Sequence, residues 1–516
     1  MASSCSYIPR QLLRKLPKVE LHRHLDGSVR PSTILALAIE QKVELPSFDL
    51  DELKKLVTVT EECTSLEEYL RGFEITLRVL QKPYAITRVM FEVCEDAVRD
   101  GVCYMEVRFS PILHVKEGLS LSAVMEAIVE GRAMAQHRLP ITVQIIVCGL
   151  RHMSSETTGR LAEIAWRYRH KGVAGFDLAG PESGFSSKHH KEAFDTVRDR
   201  LLYCTLHAGE AAGYDSIADS IQYCGAHRIG HGVKLIESPA LLQYVVDRNI
   251  AIEICVTSNL QTKAISAVEE HPLRSFFDAG ATVVICCDNC TVSGVTSTGE
   301  YDLCQRTFGF NVEEMLRLID YGYCAAFLTS VERQRLRVEA LYASLSILKS
   351  EGFDISGIAE HRRYWEVIGL DVDKFLTHDI PTIQNDSRFW IDHVNPPITL
   401  DVVTSMPKTD LDCRLEGSVS LELVWKELQT AGVDLQAEYF LPCSTFEEFQ
   451  EFILRDHSSK EELLAKRILN RVLQTQGQLE RAVASVVEEA IADNVKCKFY
   501  NHFELVLRCG NHLMRL

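Results

Sequence analysis

VCYMEVRFS (residues 102–110), a helical stretch from Leu121 to His137, ITVQIIVCGL (141–150), a second helical stretch from Glu156 to His170 and VAGFDLAG (173–180) follow one another along the chain. The short runs are rich in β-branched and aromatic residues, and the longer ones have helical periodicity. The order is β-α-β-α-β, and strands alternating with crossover helices build a parallel sheet. The alternation extends in both directions. VELHRH (19–24) precedes it, and a helical stretch from Lys188 to Arg200 leads on to LLYCTLHAGE (201–210), HRIGHG (227–232), IAIEICVTSN (250–259) and ATVVICCDN (281–289). Eight candidate strands predict an α/β fold, a TIM-type (β/α)8 barrel, filling residues 1–350.

The span from about 44 to 90 is too long for one crossover. Its Leu53, Leu56, Leu66, Tyr69, Leu70, Phe73 and Leu77 predict a helical insertion after strand one, placed over the barrel mouth; as a stripe they read more simply as helix core than as a ligand gate. Residues 351–404 read as a helical and irregular connector, with Pro and Asp breaking THDIPTIQNDSRFWIDHVNPPITL (377–400). Residues 405–516 predict a smaller α/β module that partly repeats residues 17–110. PKTDLDCRLEGSV (407–419) matches PKVELHRHLDGSV (17–29) at seven of thirteen positions, CSTFEEF (443–449) echoes CTSLEEY (63–69), and VVEEAIADNV (486–495) echoes VCEDAVRDGV (93–102). Strands three to eight are not copied, so the module cannot close a barrel of its own.

Composition narrows the function. With 46% hydrophobic and 25% charged residues the chain is globular, and its net charge of −17 repels phosphate backbones and anionic lipid headgroups. Nucleic acid and membranes are therefore not expected partners. No run approaches the ~18 apolar residues of a membrane span, and MASSCSYIPRQLLRKLPKVE lacks a signal peptide's pattern, so a cytoplasmic location is expected. The 17 cysteines are scattered and often lie in apolar runs such as VVICC (283–287), which suits reduced, buried thiols. Without an export signal, the triplets Asn289-Cys290-Thr291 and Asn385-Asp386-Ser387 are not expected to carry glycans.

Side chains alternate along a strand, so His22 and His24 share one face. Alone, the pair reads more simply as structural than as a metal site. However, His207 ends strand five, His231 ends strand six and Asp288 ends strand eight, at the carboxyl end where barrel active sites are built. A His/His/His/Asp donor set suits Zn²⁺, which activates water for hydrolysis. Glu210, three residues after His207, is placed as an acid/base group near the metal, a solvated loop carboxylate being the lesser alternative. The H-x-E with P-C-x-x-C, H-E-x-x-H, G-x-x-x-x-G-K-[ST] and G-x-G-x-x-G signatures are absent, which removes cytidine-deaminase, zincin, P-loop and Rossmann readings.

PKVELHRHLDGS (17–28), GFDLAGPE (175–182), LHAGEA (206–211), RIGHG (228–232), EICVTSNLQT (253–262) and CDN (287–289), all in order, resemble the adenosine deaminase family over about residues 17–345. The resemblance implies a zinc-bearing barrel that hydrolyses adenosine and 2′-deoxyadenosine to inosine, 2′-deoxyinosine and ammonia. It implies one zinc per chain held by His22, His24, His207 and Asp288, with Glu210 protonating purine N1 and His231 orienting or deprotonating the attacking water. It also implies that the Gly180 N–H meets purine N3, Asn289 meets N7, and Asp26 accepts a hydrogen bond from the ribose 5′-hydroxyl. A carboxylate there repels a 5′-phosphate, and related methyl-AMP deaminases carry Asn at that place, so a purine nucleoside is the expected partner.

The chain departs from the family at Asn289, often Asp; at Val256, usually Pro; and at Cys286-Cys287, usually Asn-Thr. Cys287-Asp288-Asn289-Cys290 is also a C-x-x-C, read as core thiols more simply than as a redox element. In the C-terminal copy, Asp412 and Arg414 stand where His22 and His24 stand, and Arg cannot ligate zinc. That copy is expected to dock on the barrel or on a second subunit. Two other functions stay open at this point: deamination of another 6-aminopurine compound, or a catalytically impaired purine-binding protein.

Overall fold

The computed structural model describes residues 7–368 apart from 60–62 and 64–65, and beyond them residues 372, 408–413, 420–433, 435, 444–454, 481, 484–485, 495–500 and 506–508. Eight strands pair in chain order: β1 (Lys18–His24), β2 (Val102–Phe109), β3 (Thr142–Leu150), β4 (Val173–Ala179), β5 (Tyr203–Ala208), β6 (Arg228–His231), β7 (Ala251–Ile254) and β8 (Val283–Ile285). All neighbours are parallel. The seam between β8 and β1 is closed beyond the end of β8. There the Asp288 N–H donates to His22 O at 2.8 Å, and the His24 N–H donates to Asp288 O at 2.9 Å. The fold is the (β/α)8 barrel that the alternation predicts.

Helices cover the strands as expected. Leu121–Arg138 starts at Ser120, whose side chain accepts from the Ala123 N–H, and Ser155–Arg167 starts in the same way at Ser154. Two strands are shorter than the sequence suggests. β7 stops at Ile254, and a helix, Val256–Gln261, occupies the rest of the expected run. Val256 is the first residue of that helix, a position that tolerates proline, so either residue suits the backbone there. β8 stops at Ile285, and Asp288 has φ +62°, a left-handed conformation that ends strand pairing.

The insertion after β1 forms helices Leu50–Val57, Leu66–Arg71 and Phe73–Val79. Leu53, Leu66, Tyr69 and Leu77 are buried, whereas Leu56 faces solvent. The insertion is tied to the segment after β8: Thr58 Oγ1 donates to Thr291 O at 3.1 Å, Val59 N to Val292 O at 2.7 Å, and the Tyr69 hydroxyl lies 2.7 Å from Ser293 Oγ. It therefore sits beside the carboxyl end of the barrel.

The chain divides into two units, Met1–Pro381 and Thr382–Leu516. After the long helix Ser330–Ser350, the first unit continues through Ile358 and Trp365, both fully buried. In the second unit β9 (Lys408–Cys413) pairs in parallel with β10 (Val495–Tyr500), and β11 (Val506–Arg508) adds to β10 antiparallel. The β9–β10 register repeats that of β1–β2. Lys408 faces Val495 as Lys18 faces Val102, Thr409 faces Cys497 as Val19 faces Tyr104, and Cys413 faces Tyr500 as Arg23 faces Val107. The helix Phe446–Leu454 starts where the repeat places the counterpart of Leu66. Residues 377–400, Arg414 and most of the 486–495 echo lie outside the described residues.

Candidate active site

Charged residues fill the barrel interior beneath its carboxyl end. Arg108 donates to Asp177 at 3.1 Å and to Glu253 at 2.8 Å, while Arg228 donates to Glu253 at 2.7 Å and pairs with Glu106, all of them buried. Although burial opposes ionisation, Arg108 and Arg228 hold Glu253 well below the usual carboxylate range, and His207 and Arg108 do the same for Asp177. Both carboxylates accept from histidines: His22 Nδ1 lies 2.8 Å from Glu253, and His207 Nδ1 lies 3.1 Å from Asp177.

That arrangement fixes the protons on Nδ1 and leaves the Nε2 lone pairs bare. His22 Nε2 and His207 Nε2 nevertheless stand 3.0 Å apart, and His24 Nε2 lies 3.1 Å from His207 Nε2. Asp288 Oδ1 completes the group, 3.4 Å from His22 Nε2 and 3.3 Å from His24 Nε2. These four residues form the one such cluster among the described residues, with all ligand atoms within 4.8 Å of one another. Bare lone pairs this close repel one another unless a cation lies between them. Donors 2.0–2.1 Å from a tetrahedral Zn²⁺ are about 3.3 Å apart, so the set fits that ion. Burial works against charge on Asp288, yet the neighbouring rings of His22, His24 and His231 hold its carboxyl well below the usual range.

Glu210 lies beside this group. Its Oε1 accepts from Thr262 Oγ1 at 2.9 Å, and its Oε2 is 3.6 Å from His231 Nε2. Burial, reinforced by the Asp288 charge, pushes its carboxyl up to about 8, so it keeps a proton at neutral pH. Glu182 holds the loop that carries it, accepting the N–H groups of Gly209, Glu210, Ala211 and Ala212 at 2.6, 3.0, 2.7 and 3.0 Å. His231, at the end of β6, has φ +65° and is buried. Two non-glycine residues with left-handed backbones thus stand at the site, and such strain persists only where the surroundings impose it.

The other expected residues differ in their surroundings. Asp26 is buried, its Oδ1 has no partner within the protein, and burial raises its pKa to about 6. Asn289 is buried too, its Nδ2 donating to the Tyr69 hydroxyl at 2.9 Å while its Oδ1 has no protein partner. Gly180 has φ +90°, and a Cβ there would come no closer than 3.5 Å to other protein atoms, so the backbone conformation, not protein crowding, calls for glycine. Cys287 and Cys290 are free thiols; burial pushes the Cys287 thiol well above its usual range.

The sequence reading gives no role to Asp177, Glu182 or Glu253, and takes Tyr69 only as helix core. Asp177 and Glu253 carried a usable signal, since each is a charged residue inside an apolar strand. Glu300, in the helix Ser297–Phe308, is a further buried carboxyl to which the sequence reading gives no role. Its Oε2 accepts from Thr257 N at 3.1 Å, and burial pushes its pKa up to about 7. An acid whose folded-state pKa is raised favours the folded state while protonated, and that advantage fades as pH rises from the unfolded value toward the folded one. The wild type is expected to lose about 3 kcal/mol through this residue between pH 4.5 and 8, and Glu300→Gln to flatten that part of the urea-denaturation profile.

Fold and site together define a (β/α)8 barrel with a four-residue donor cluster that could hold a metal ion. Its relatives specify the family. The adenosine deaminase family profile matches residues 17–342. A probable adenosine deaminase of Dictyostelium discoideum is 47% identical over 98% of this chain and 67% of its own, and an adenosine deaminase of Clostridium acetobutylicum is 39% identical over 62% of this chain and 96% of its own. Among solved structures, the N6-methyl-AMP deaminase of Arabidopsis thaliana superposes with a TM-score of 0.58 at 27% identity, over 64% of this chain and 98% of that one. The chain belongs to the adenosine deaminase family.

Proposed function

We propose that this chain is a zinc-dependent deaminase of adenosine and 2′-deoxyadenosine, releasing inosine or 2′-deoxyinosine and ammonia. The observation that carries this is the convergence of His22, His24, His207 and Asp288 next to the buried Glu210, whose carboxyl burial pushes up to about 8. Zinc, when bound, supplies a Lewis acid that brings the pKa of water toward neutrality. Glu210 gives its proton to purine N1, which makes C6 electrophilic. His231 faces the attacking oxygen. The Gly180 N–H meets N3 and Asn289 meets N7, while Asp26, with an unpartnered buried oxygen, accepts from the ribose 5′-hydroxyl. The water oxygen bonds to C6; of its two protons one goes to the amino group, which leaves as ammonia, and the other restores Glu210, while N1 keeps the proton it received.

Ammonia release from adenosine, 2′-deoxyadenosine, adenine, AMP and N6-methyl-AMP tests the substrate assignment. The two nucleosides are expected to turn over at least tenfold faster than the rest. Preference for AMP, N6-methyl-AMP or adenine would instead make this a deaminase of another 6-aminopurine, and binding without turnover would make it a purine-binding protein. Asp26→Asn removes the charge that a 5′-phosphate meets, so the ratio of kcat/KM for AMP to that for adenosine is expected to rise about tenfold or more.

A further inference from the structure

A chain of side chains behind His231 starts from a group whose role admits no choice. The backbone N–H of Leu273 points at His271 Nδ1, 3.1 Å away. A backbone N–H only donates, so His271 Nδ1 bears no proton and the ring carries its proton on Nε2. That Nε2 lies 3.2 Å from Asn259 Oδ1, which accepts from it. The Asn259 amide is thereby oriented, and its Nδ2 donates to His231 Nδ1 at 2.9 Å. His231 Nδ1 is in turn closed to a proton. The hydrogen of the ring is left on Nε2, the nitrogen that faces Glu210. His231, Asn259 and His271 are all buried, so water does not offer alternative partners.

We propose that His271 is a positioning residue: acting through Asn259, it fixes the His231 proton on Nε2, so that His231 serves the reaction as a hydrogen-bond donor to the attacking oxygen and not as its base. The inference rests on the deaminase reading for the identity of that oxygen, but the proton placement stands on the three hydrogen bonds alone. A base at this position needs a bare Nε2 lone pair, and the network withholds it. A donor there orients the attacking oxygen and stabilises charge that develops on it.

Asn259→Asp reverses the one polarity that matters with almost no change of shape. A carboxylate accepts from both histidines, which draws the His231 proton to Nδ1 and bares Nε2. The test is ¹⁵N spectroscopy of the histidine rings in the full-length, zinc-loaded protein, with the His231 signals assigned from a His231→Gln sample, beside adenosine kinetics. In the wild type, His231 is expected to show a protonated Nε2 and an unprotonated Nδ1; in Asn259→Asp the two exchange, and kcat falls about 100-fold with KM little changed. His271→Phe is expected to mix the two forms and lower kcat, while His271→Gln, which keeps an N–H toward Asn259, restores most of it. A wild-type His231 protonated on Nδ1, or an Asn259→Asp enzyme as fast as the wild type, would overturn the proposal. A wild type with Nε2 protonated but no turnover of adenosine supports the proton placement and overturns the deaminase reading instead.

Discussion

Glu210→Gln is expected to lower kcat for adenosine by about 10²–10⁴-fold, the usual worth of a positioned general acid. The substitution keeps size and removes only the transferable proton. In the wild type that proton is held because burial and the Asp288 charge push the Glu210 carboxyl up to about 8. Glutamine can still accept from Thr262 Oγ1, and its backbone N–H still meets Glu182. The fold and the metal content should therefore be unchanged, and the nucleoside should still bind. Steady-state kinetics with a metal assay on the same sample make the comparison. A kcat within tenfold of wild type would remove Glu210 from the role given to it.

Asp288→Ala has an effect of comparable size by a different route. It deletes one of the four donors and leaves three histidine Nε2 atoms, two pairs of them 3.0 and 3.1 Å apart, with no charge to balance a cation. Even residues that only orient a ligand are worth 10–100-fold in metal affinity, so loss of a donor is expected to weaken zinc binding at least about 100-fold and to abolish turnover at ordinary zinc concentrations. The backbone of residue 288 also closes the barrel seam, through His22 O and His24 N, but those bonds do not need the side chain. The predicted outcome is a folded, metal-poor protein, read by metal analysis and thermal denaturation. Full zinc content in Asp288→Ala would exclude the four-residue centre.

The fold was legible because most strands of the barrel are short, mainly apolar runs with helical sequence between them, as ITVQIIVCGL (141–150) shows, and the metal-type residues were legible because they stand at strand ends, as in VELHRH (19–24). What escaped has physical reasons. IAIEICVTSN (250–259) is apolar through Val256 apart from Glu253, with β-branched residues on both sides of the break at Cys255, so periodicity alone did not separate β7 from the helix at Val256. The contacts of Tyr69 with Asn289 and of Glu182 with residues 209–212 join segments distant in sequence, and only the folded chain brings them together. Arg108, Asp177, Arg228 and Glu253 are legible individually as charges in apolar strands, but their pairing depends on barrel closure. The repeat could be read as sequence; its shared strand register could not.

The measurement that tests the account most directly is inosine and ammonia formation from adenosine by the full-length protein, first stripped of metal by a chelator and then titrated with zinc. Stoichiometric inosine and ammonia that disappear on chelation and return at about one zinc per chain is the predicted result, since one four-donor site holds one ion. Undiminished turnover in the chelated protein, or none in the zinc-loaded protein, would contradict it.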